Sequence, residues 1–226
     1  MNTAIIAELV QLFKISMDQE DSDMERKFKD YLMQNHLSDR NLQAVLSNSS
    51  LPLHVTIFGF LCITDTIRDI EVDPSFIMPR NYPELKKVYA LKLIHQSADK
   101  NEMYAQLLLA NSYRYGRWHC RDNRLAFHWY QQSMRSKNAI ASYHLGACYQ
   151  CSIGCRKDMV KAYKCYSKFG DGFQDGLMLC YFKGKGTQKD IHSALKCCLK
   201  SCKSETIEIK YRLIQMLNEK YIMRNY

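Results

Sequence analysis

The segment 181–190, YFKGKGTQKD, has the residue types of a phosphate-binding loop. Loops of the G-x-x-x-x-G-K-[ST] type follow a β-strand and need a lysine followed directly by Ser or Thr. Here Lys185 is followed by Gly186, and the residues before Gly184 have a helical pattern. The sequence therefore does not predict a nucleotide enzyme. It predicts a glycine turn between two helices, since glycine suits a positive φ.

A second group of residues with the chemistry for a site is rich in cysteine. Cys148, Cys151 and Cys155 form C-x-x-C-x-x-x-C, and His119, next to Cys120, lies 36 residues before Cys155. A zinc site needs four convergent sulfur or imidazole ligands at about 2.0–2.3 Å. This is not a zinc-finger spacing, and no second C-x-x-C follows. We predict reduced, partly buried thiols and no metal or cofactor, with His119, Cys120, Cys151 and Cys155 as weak metal-ligand candidates.

The sequence carries no familiar catalytic signature. Its seven histidines include no H-E-x-x-H pair, and there is no G-x-S-x-G. His128, next to Trp129, is predicted to be a partly exposed helix histidine rather than a base. We predict that the chain is not an enzyme. A cysteine-rich repeat hydrolase stays an alternative, and it would require a nucleophile paired with a base.

Composition favours a mostly helical protein. The 226 residues are 46% hydrophobic and 24% charged, with only four prolines and nine glycines. The N-terminal segment lacks the pattern of a secretory signal, and the apolar stretch 51–63 is shorter than the roughly 20 residues of a membrane span. These features predict no membrane span and a cytoplasmic location, where the ten cysteines would be reduced.

The charge balance favours acidic partners. The chain has 32 basic and 23 acidic side chains, a formal charge of +9. Six of the basic side chains, all lysines, lie in segment 183–203, together with a single acidic residue, Asp190. A solvated helix face explains this run, and nucleic-acid or anionic-surface binding through 183–203 is the alternative. Nucleic acid is not the expected partner, because no aromatic residue stands between these lysines.

Repeated spacing organises the second half of the chain. At an interval of 36 residues, the set Tyr113, Asp122, Ala126 and Tyr130 recurs as Tyr149, Asp158, Ala162 and Tyr166, and the pair Ala105 and Leu109 recurs as Ala141 and Leu145. At an interval of 32 residues, Tyr149, Asp158 and Ala162 recur as Tyr181, Asp190 and Ala194. The repetition predicts three copies of one structural unit.

Each copy has the pattern of a helix hairpin. In the middle copy, Ala141, Leu145 and Tyr149 share one face of a helix predicted near 139–151. After the loop, Asp158 stands where a second helix begins and can cap its free N–H groups. Ala162 is small enough to let two helices approach closely. A hairpin of this kind completes its core by stacking on its neighbours, which predicts a solenoid.

The same residues resemble a Sel1-like repeat. The segment 141–168, ASYHLGACYQCSIGCRKDMVKAYKCYSK, follows A-x-x-x-L-G-x-x-Y, a glycine loop and K-D-x-x-K-A-x-x-x-Y. Segment 179–197 carries the G-x-G-T-x-K-D signature, and segment 105–133 matches with Ala110 and Trp118 in place of two glycines. The resemblance covers roughly residues 103–202. It implies an interaction scaffold, an assembly factor or a regulator of another enzyme. Some similar proteins carry kinase-like domains beside their repeats, and this chain would then be a repeat-only fragment or paralogue of such a protein. The segment GDGFQDG at 170–176 is interpreted as a turn between repeats and not as a kinase motif.

We therefore predict an all-α fold, a right-handed α-solenoid of three or four Sel1-like helix-turn-helix repeats with helical flanks. Residues 1–50 are predicted to form an N-terminal helical cap, in which Leu42, Val45 and Leu46 suggest a third short helix. Residues 51–202 are predicted to form the repeats, and 203–226 a C-terminal capping helix. The first unit would be degenerate, with Phe58 and Gly59 standing for Leu-Gly, an insertion at about 64–83 and Ala90 lying 36 residues before Ala126.

The predicted function is that of a non-catalytic adaptor, which binds a protein partner on the concave face of the solenoid. The partner would be acidic, or a signalling enzyme such as a kinase. By repeat position, the candidate contact residues on the first helices are Asn111, Arg114, Tyr143 and Gln150. Arg and Tyr are common anchors at interfaces.

Overall fold

The structure is a computed structural model that describes residues 3–19, 23–35, 37, 42, 46, 50–64, 83–168 and 174–200. Within these residues there are ten helices and no strand: α1 Thr3–Asp18, α2 Met24–Gln34, α3 Pro52–Ile63, α4 Pro83–Asp99, α5 Met103–Tyr115, α6 Asn123–Arg135, α7 Ala139–Cys151, α8 Met159–Ser167, α9 Gln174–Lys183 and α10 Ile191–Lys200. No helix in this described part is long and apolar enough to cross a membrane. The predicted all-α class is confirmed, and α7 has the predicted bounds of 139–151.

The chain forms two compact units. Unit 1 comprises Met1–Asp122 and Arg135–Asn138, and unit 2 comprises Asn123–Met134 and Ala139–Tyr226. Unit 1 thus contains α1 to α5, and unit 2 contains nearly all of α6 together with α7 to α10. We describe each unit by itself.

Unit 1 is built on an aromatic cluster. Phe13 of α1 and Phe28 of α2 are fully buried and meet edge to face, with ring centroids 6.2 Å apart. Phe60 of α3 lies 5.8 Å from Phe13 and 6.0 Å from Phe28. Tyr104 of α5 contacts Phe13 at 5.8 Å. Edge-to-face geometry is the one the ring quadrupoles favour, so the two N-terminal helices pack through these rings onto α3 and α5.

Helices α3 and α4 form a closely packed pair in the same unit. A Cβ added to Gly59 would lie 2.9 Å from Cγ1 of Ile94 and 3.1 Å from the carbonyl oxygen of Ala90. Ala90 is fully buried. Two small residues therefore allow the two helices to approach, as expected for a helix hairpin. The assignment of this pair as a degenerate first repeat, with boundaries at 50 and 202, stays a prediction.

Unit 2 contains the predicted alanine positions at its centre. Ala126, Ala162 and Ala194 are each 0% exposed. Around Ala162 and Ala194 lies a core cluster that includes Tyr166, Leu177 and Met178. The prediction that these alanines lie between helices, and not in water, is confirmed.

Three predictions concern residues that the structure does not describe. The insertion at about 64–83 falls almost entirely on them, as do the C-terminal helix at 203–226 and Val45 of the third N-terminal helix. Leu42 and Leu46 of that helix are described; both are helical and fully buried.

Candidate binding surface of the repeats

The segment 181–190 is a helix-ending turn, as predicted. Gly184 has φ of +63°, and the N–H of Lys185 donates to the carbonyl oxygen of Cys180 at 3.1 Å. A hydrogen bond from an N–H to the carbonyl oxygen five residues earlier, with a left-handed residue in between, defines the Schellman motif. The same bond recurs in the other copies, from Arg117 to Ser112 at 3.3 Å and from Ile153 to Cys148 at 3.0 Å. The left-handed position is Gly116 in the first copy, with φ of +69°, and Ser152 in the second, with φ of +59°.

The repeated tyrosine and aspartate spacing has a backbone origin. The N–H of the aspartate donates to the carbonyl oxygen of the tyrosine nine residues earlier, for the pairs Asp122 and Tyr113 at 3.0 Å, Asp158 and Tyr149 at 3.0 Å, and Asp190 and Tyr181 at 3.1 Å. This bond closes each loop and sets the start of the second helix.

Two of these aspartates also cap the helix that follows. Oδ1 of Asp158 accepts from the N–H of Lys161 at 2.9 Å, and Oδ1 of Asp190 accepts from the N–H groups of His192 and Ser193 at 3.0 and 3.2 Å. The bond from Lys161 holds the pKa of Asp158 below its ordinary value. The capping role predicted from the sequence is confirmed for Asp158.

The second loop glycine joins one repeat to the one before it. A Cβ on Gly154 would overlap the carbonyl oxygen of Asn123, at the start of α6, and a Cβ on Gly186 would overlap that of Met159, at the start of α8. In the first copy Trp118 occupies this position, and in unit 1 its ring packs against Phe60 at 6.4 Å. A glycine at 154 and 186 is therefore required by backbone-to-backbone contact as well as by φ.

The ring of Tyr166 lies between two helical glycines. A Cβ on Gly146 of α7 would lie 2.6 Å from Cε1 of Tyr166, and a Cβ on Gly176 of α9 would lie 2.7 Å from Cδ1. These are the first helices of successive repeats, and they contact each other. The sequence interpretation of 170–176 as a turn is wrong for its last three residues, because α9 begins at Gln174. Gly176 is a packing residue.

The predicted residues Tyr143 and Gln150 both contact Tyr166. Tyr143 is half-buried, with its ring 5.7 Å from that of Tyr166. Oε1 of Gln150 accepts a hydrogen bond from the Tyr166 hydroxyl at 2.9 Å. The structure thus brings these two residues of α7 to one place. It also gives each of them a packing role that the sequence did not reveal.

The predicted residues Asn111 and Arg114 lie in unit 1, one turn apart on α5, and both are half-buried. The guanidinium of Arg114 lies 6.0 Å from the centre of the Tyr115 ring, which is exposed. At this distance a cation–π contact contributes about 0.5–1 kcal/mol at an exposed site. Arg114 and Tyr115 therefore form a cationic and aromatic surface at the C-terminal end of α5.

Sequence reasoning missed a pair of tyrosines in unit 2. The hydroxyls of Tyr163 and Tyr181 are 3.0 Å apart, and the rings meet edge to face at 5.7 Å. The bond to Tyr163, with burial, raises the pKa of Tyr181 to about 12. The recurrence of tyrosine at 149 and 181 was the available signal, since Tyr149 also has an aromatic neighbour, Phe127, at 5.3 Å.

The weak metal candidates are divided between the units. His119 and Cys120 lie in unit 1, and Cys151 and Cys155 lie in unit 2. Cys120 and Cys151 are exposed thiols, and the Cys155 thiol donates to the carbonyl oxygen of Cys148 at 3.5 Å. Among the described residues, no group of three or more His, Cys, Asp or Glu side chains could hold a metal ion. The described cysteines form no disulfide with one another, and burial raises the pKa of Cys165 to about 11.

The basic segment is exposed as far as the structure describes it. Its described lysines are Lys183, Lys185, Lys189, Lys196 and Lys200, all exposed. Asp190, the acidic residue among them, is engaged as the cap of α10. Lys203 lies outside the described residues. The exposed lysines are compatible with a solvated helix face and with an anionic partner.

Comparison with known proteins identifies the repeat. The model of the Sel1 repeat family matches residues 104–136, 139–172 and 173–205. A Sel1 repeat protein from Oxalobacter formigenes superposes with a TM-score of 0.60 and 17% identity, over 76% of this chain and 67% of that one. A protective antigen of uropathogenic Escherichia coli that displays an SLR fold gives a TM-score of 0.59 and 19% identity, over 84% of this chain but 39% of that one. No curated protein matches this sequence.

Proposed function

We propose that this chain, which carries three Sel1 repeats at residues 104–136, 139–172 and 173–205, is a non-catalytic adaptor for a protein partner. Sel1 repeats generally serve as scaffolds for protein–protein interactions. Stacked solenoid repeats create extended concave binding surfaces, and we expect the first helices of the repeats to line that surface. On this chain those helices are α5, α7 and α9.

The observation that carries the proposal is that α5 and α7 present arginine, tyrosine and amide side chains that are at least partly exposed. On α5, Arg114 lies beside the exposed ring of Tyr115. On α7, Tyr143 and Gln150 are half-buried and partly accessible. Arginine and tyrosine concentrate binding energy at interfaces because they combine a polar group with a large contact area. We assign partner contact to Asn111, Arg114, Tyr143 and Gln150.

We further propose that the partner surface is acidic, because the chain has a formal charge of +9. A kinase is the signalling enzyme that the resemblance to kinase-linked repeat proteins suggests. A cytoplasmic location belongs to the same proposal, and reduced thiols at the described cysteines would agree with it.

A charge-reversal pair tests the proposal. Arg114→Glu alters the proposed surface, and Arg124→Glu makes the same change of charge at an exposed position of α6, a second helix. We expect Arg114→Glu to weaken partner capture by about 30-fold, equivalent to about 2 kcal/mol for an anchor residue. Arg124→Glu should keep the wild-type partners. Capture would be quantified by affinity purification with mass spectrometry, and equal capture by both variants would refute the assignment.

The exposed lysines of 183–200 favour one alternative, nucleic-acid binding through the basic segment. Binding through phosphates weakens steeply with salt, since each neutralised phosphate releases condensed counterions. A titration of fluorescent single-stranded RNA between low and physiological salt distinguishes the two functions. A steep salt dependence that is lost in Lys185→Glu/Lys189→Glu supports the alternative, and absence of binding removes it.

A further inference from the structure

Two histidines of unit 1 converge at a point where α4 meets the loop after α5. His95 lies on α4, and His119 lies in the loop between α5 and α6. Their Nε2 atoms are 3.4 Å apart, and their rings are nearly perpendicular, at 87°. We propose that His95 and His119 form a binding site for a divalent transition-metal ion of the zinc class.

The separation of the two nitrogens fits a shared metal ion. Zinc binds imidazole nitrogen at about 2.0–2.1 Å with tetrahedral geometry, which places two such nitrogens about 3.3 Å from each other. The observed 3.4 Å agrees with that value. It is longer than the roughly 2.7–3.2 Å typical of a good hydrogen bond from nitrogen. In the structure the two nitrogens share a long hydrogen bond, and a bound metal ion would keep nearly the same separation.

Neighbouring side chains hold the His119 ring in a fixed orientation. Nδ1 of His119 lies 2.8 Å from Oγ of Ser112, a buried residue of α5. The Tyr113 ring stacks on His119 with centroids 4.3 Å apart. Metal-binding histidines almost always donate their other ring N–H to an outer partner, which orients the ring and fixes the tautomer. Ser112 can accept that proton on Nδ1, leaving Nε2 free to bind metal.

The site offers two protein ligands within the described residues, because no third His, Cys, Asp or Glu joins them there. Solvent molecules complete the coordination of the ion. Imidazole suits Zn²⁺ and Ni²⁺ and is a poor ligand set for Mg²⁺ or Ca²⁺. Bound metal would tie α4 to the loop that closes the first Sel1 hairpin.

Titration of the purified, reduced full-length chain with Zn²⁺, followed by calorimetry, tests the site. We expect one saturable site that Mg²⁺ does not compete for. His95→Gln and His119→Gln should each weaken Zn²⁺ binding by about tenfold or more, and Ser112→Ala by about 10- to 100-fold. His192→Gln, at an exposed position of unit 2, is the matched control and should bind as the wild type does.

Co²⁺ provides a second measurement on the unsubstituted chain, which holds even where a histidine variant fails to fold. Nitrogen and oxygen ligands give weak visible bands, whereas a cysteine ligand adds an intense thiolate-to-cobalt band in the near ultraviolet. A visible band that is shifted and intensified relative to free Co²⁺, without the thiolate band, supports the proposal. It is overturned by absent Zn²⁺ binding, by binding that survives both histidine substitutions, or by a thiolate band that Cys120→Ser removes.

Discussion

The Tyr166 ring packs closely against two helical glycines, Gly146 and Gly176, an arrangement that we call the clamp. The clamp predicts that a glycine-to-alanine substitution in a helix, which usually stabilises, destabilises this protein. Gly146→Ala would place a methyl group 2.6 Å from Cε1, 2.8 Å from Cδ1 and 2.9 Å from Cζ of the Tyr166 ring. Carbon atoms prefer about 3.5–4.0 Å, so the ring would have to move by about 1 Å. It has little room to do so, because the α9 backbone at Gly176 also lies close to the ring: a Cβ added there would be 2.7 Å from Cδ1 of Tyr166. Tyr166 is also 2% exposed and hydrogen-bonded to Gln150.

The change in unfolding free energy expected for Gly146→Ala is the sum of two opposing effects. Overpacking a core costs about 1–3 kcal/mol, and the clamped ring places this case near the upper end. Replacing glycine by alanine inside a helix stabilises it by about 1 kcal/mol. The net expectation is a loss of about 2 kcal/mol, which corresponds to a fall in Tm of about 4–8 °C for a chain of this size. Urea unfolding followed by circular dichroism measures the loss.

A double-mutant cycle separates the two effects. With the ring removed by Tyr166→Ala, the same Gly146→Ala change should stabilise the protein by about 1 kcal/mol, since only helix propensity remains. The sign of the effect therefore inverts between the two backgrounds. Tyr166→Leu offers the same comparison, with a smaller difference, if Tyr166→Ala is too unstable to measure. A neutral Gly146→Ala, or equal destabilisation in both backgrounds, would refute the clamp.

Three further substitutions test the loops of the repeats. Gly154→Ala should cost about 3 kcal/mol or more, because it combines left-handed strain with a clash against the Asn123 backbone; wild-type stability in urea would contradict this. Ser152→Gly, at φ of +59°, should instead stabilise the chain by about 0.5–1 kcal/mol in the same assay, by relieving strain, and a loss would count against the turn. Asp158→Ala should lower stability at neutral pH by removing the bond from Lys161. Because that bond lowers the pKa of Asp158, its contribution is present above the unfolded pKa and is lost as pH falls through the folded pKa. The difference between wild type and Asp158→Ala should therefore shrink in acid below about pH 3.8, and a constant difference would show that the carboxylate is not the cap.

The features that the sequence predicted well are those fixed by short-range geometry. A helix needs its free groups capped within one turn and its ending satisfied within six residues. The spacing of Tyr149 and Asp158 therefore predicted the hairpin, and repetition at 36 and 32 residues strengthened the prediction. The helix at 139–151, the buried alanines and the turn at Gly184 followed from the residues alone.

The candidate contact residues were predictable only in part. Tyr143 and Gln150 could be placed on a first helix by repeat position, but their bond and ring contact with Tyr166 could not. Tyr166 lies on the next helix, and its partners depend on how far α7 stands from α8. That distance is set by the absence of a side chain at Gly146, a packing effect that no local pattern encodes.

The sequence by itself thus determined the helical class, the repeat, the capping residues and the turns, because each depends on residues close together in the chain. Only the tertiary structure decided that Gly176 is a helix packing residue and that His119 faces His95, 24 residues away. These contacts arise when separate helices dock. Docking depends on the shape of whole surfaces rather than on the spacing of a few side chains.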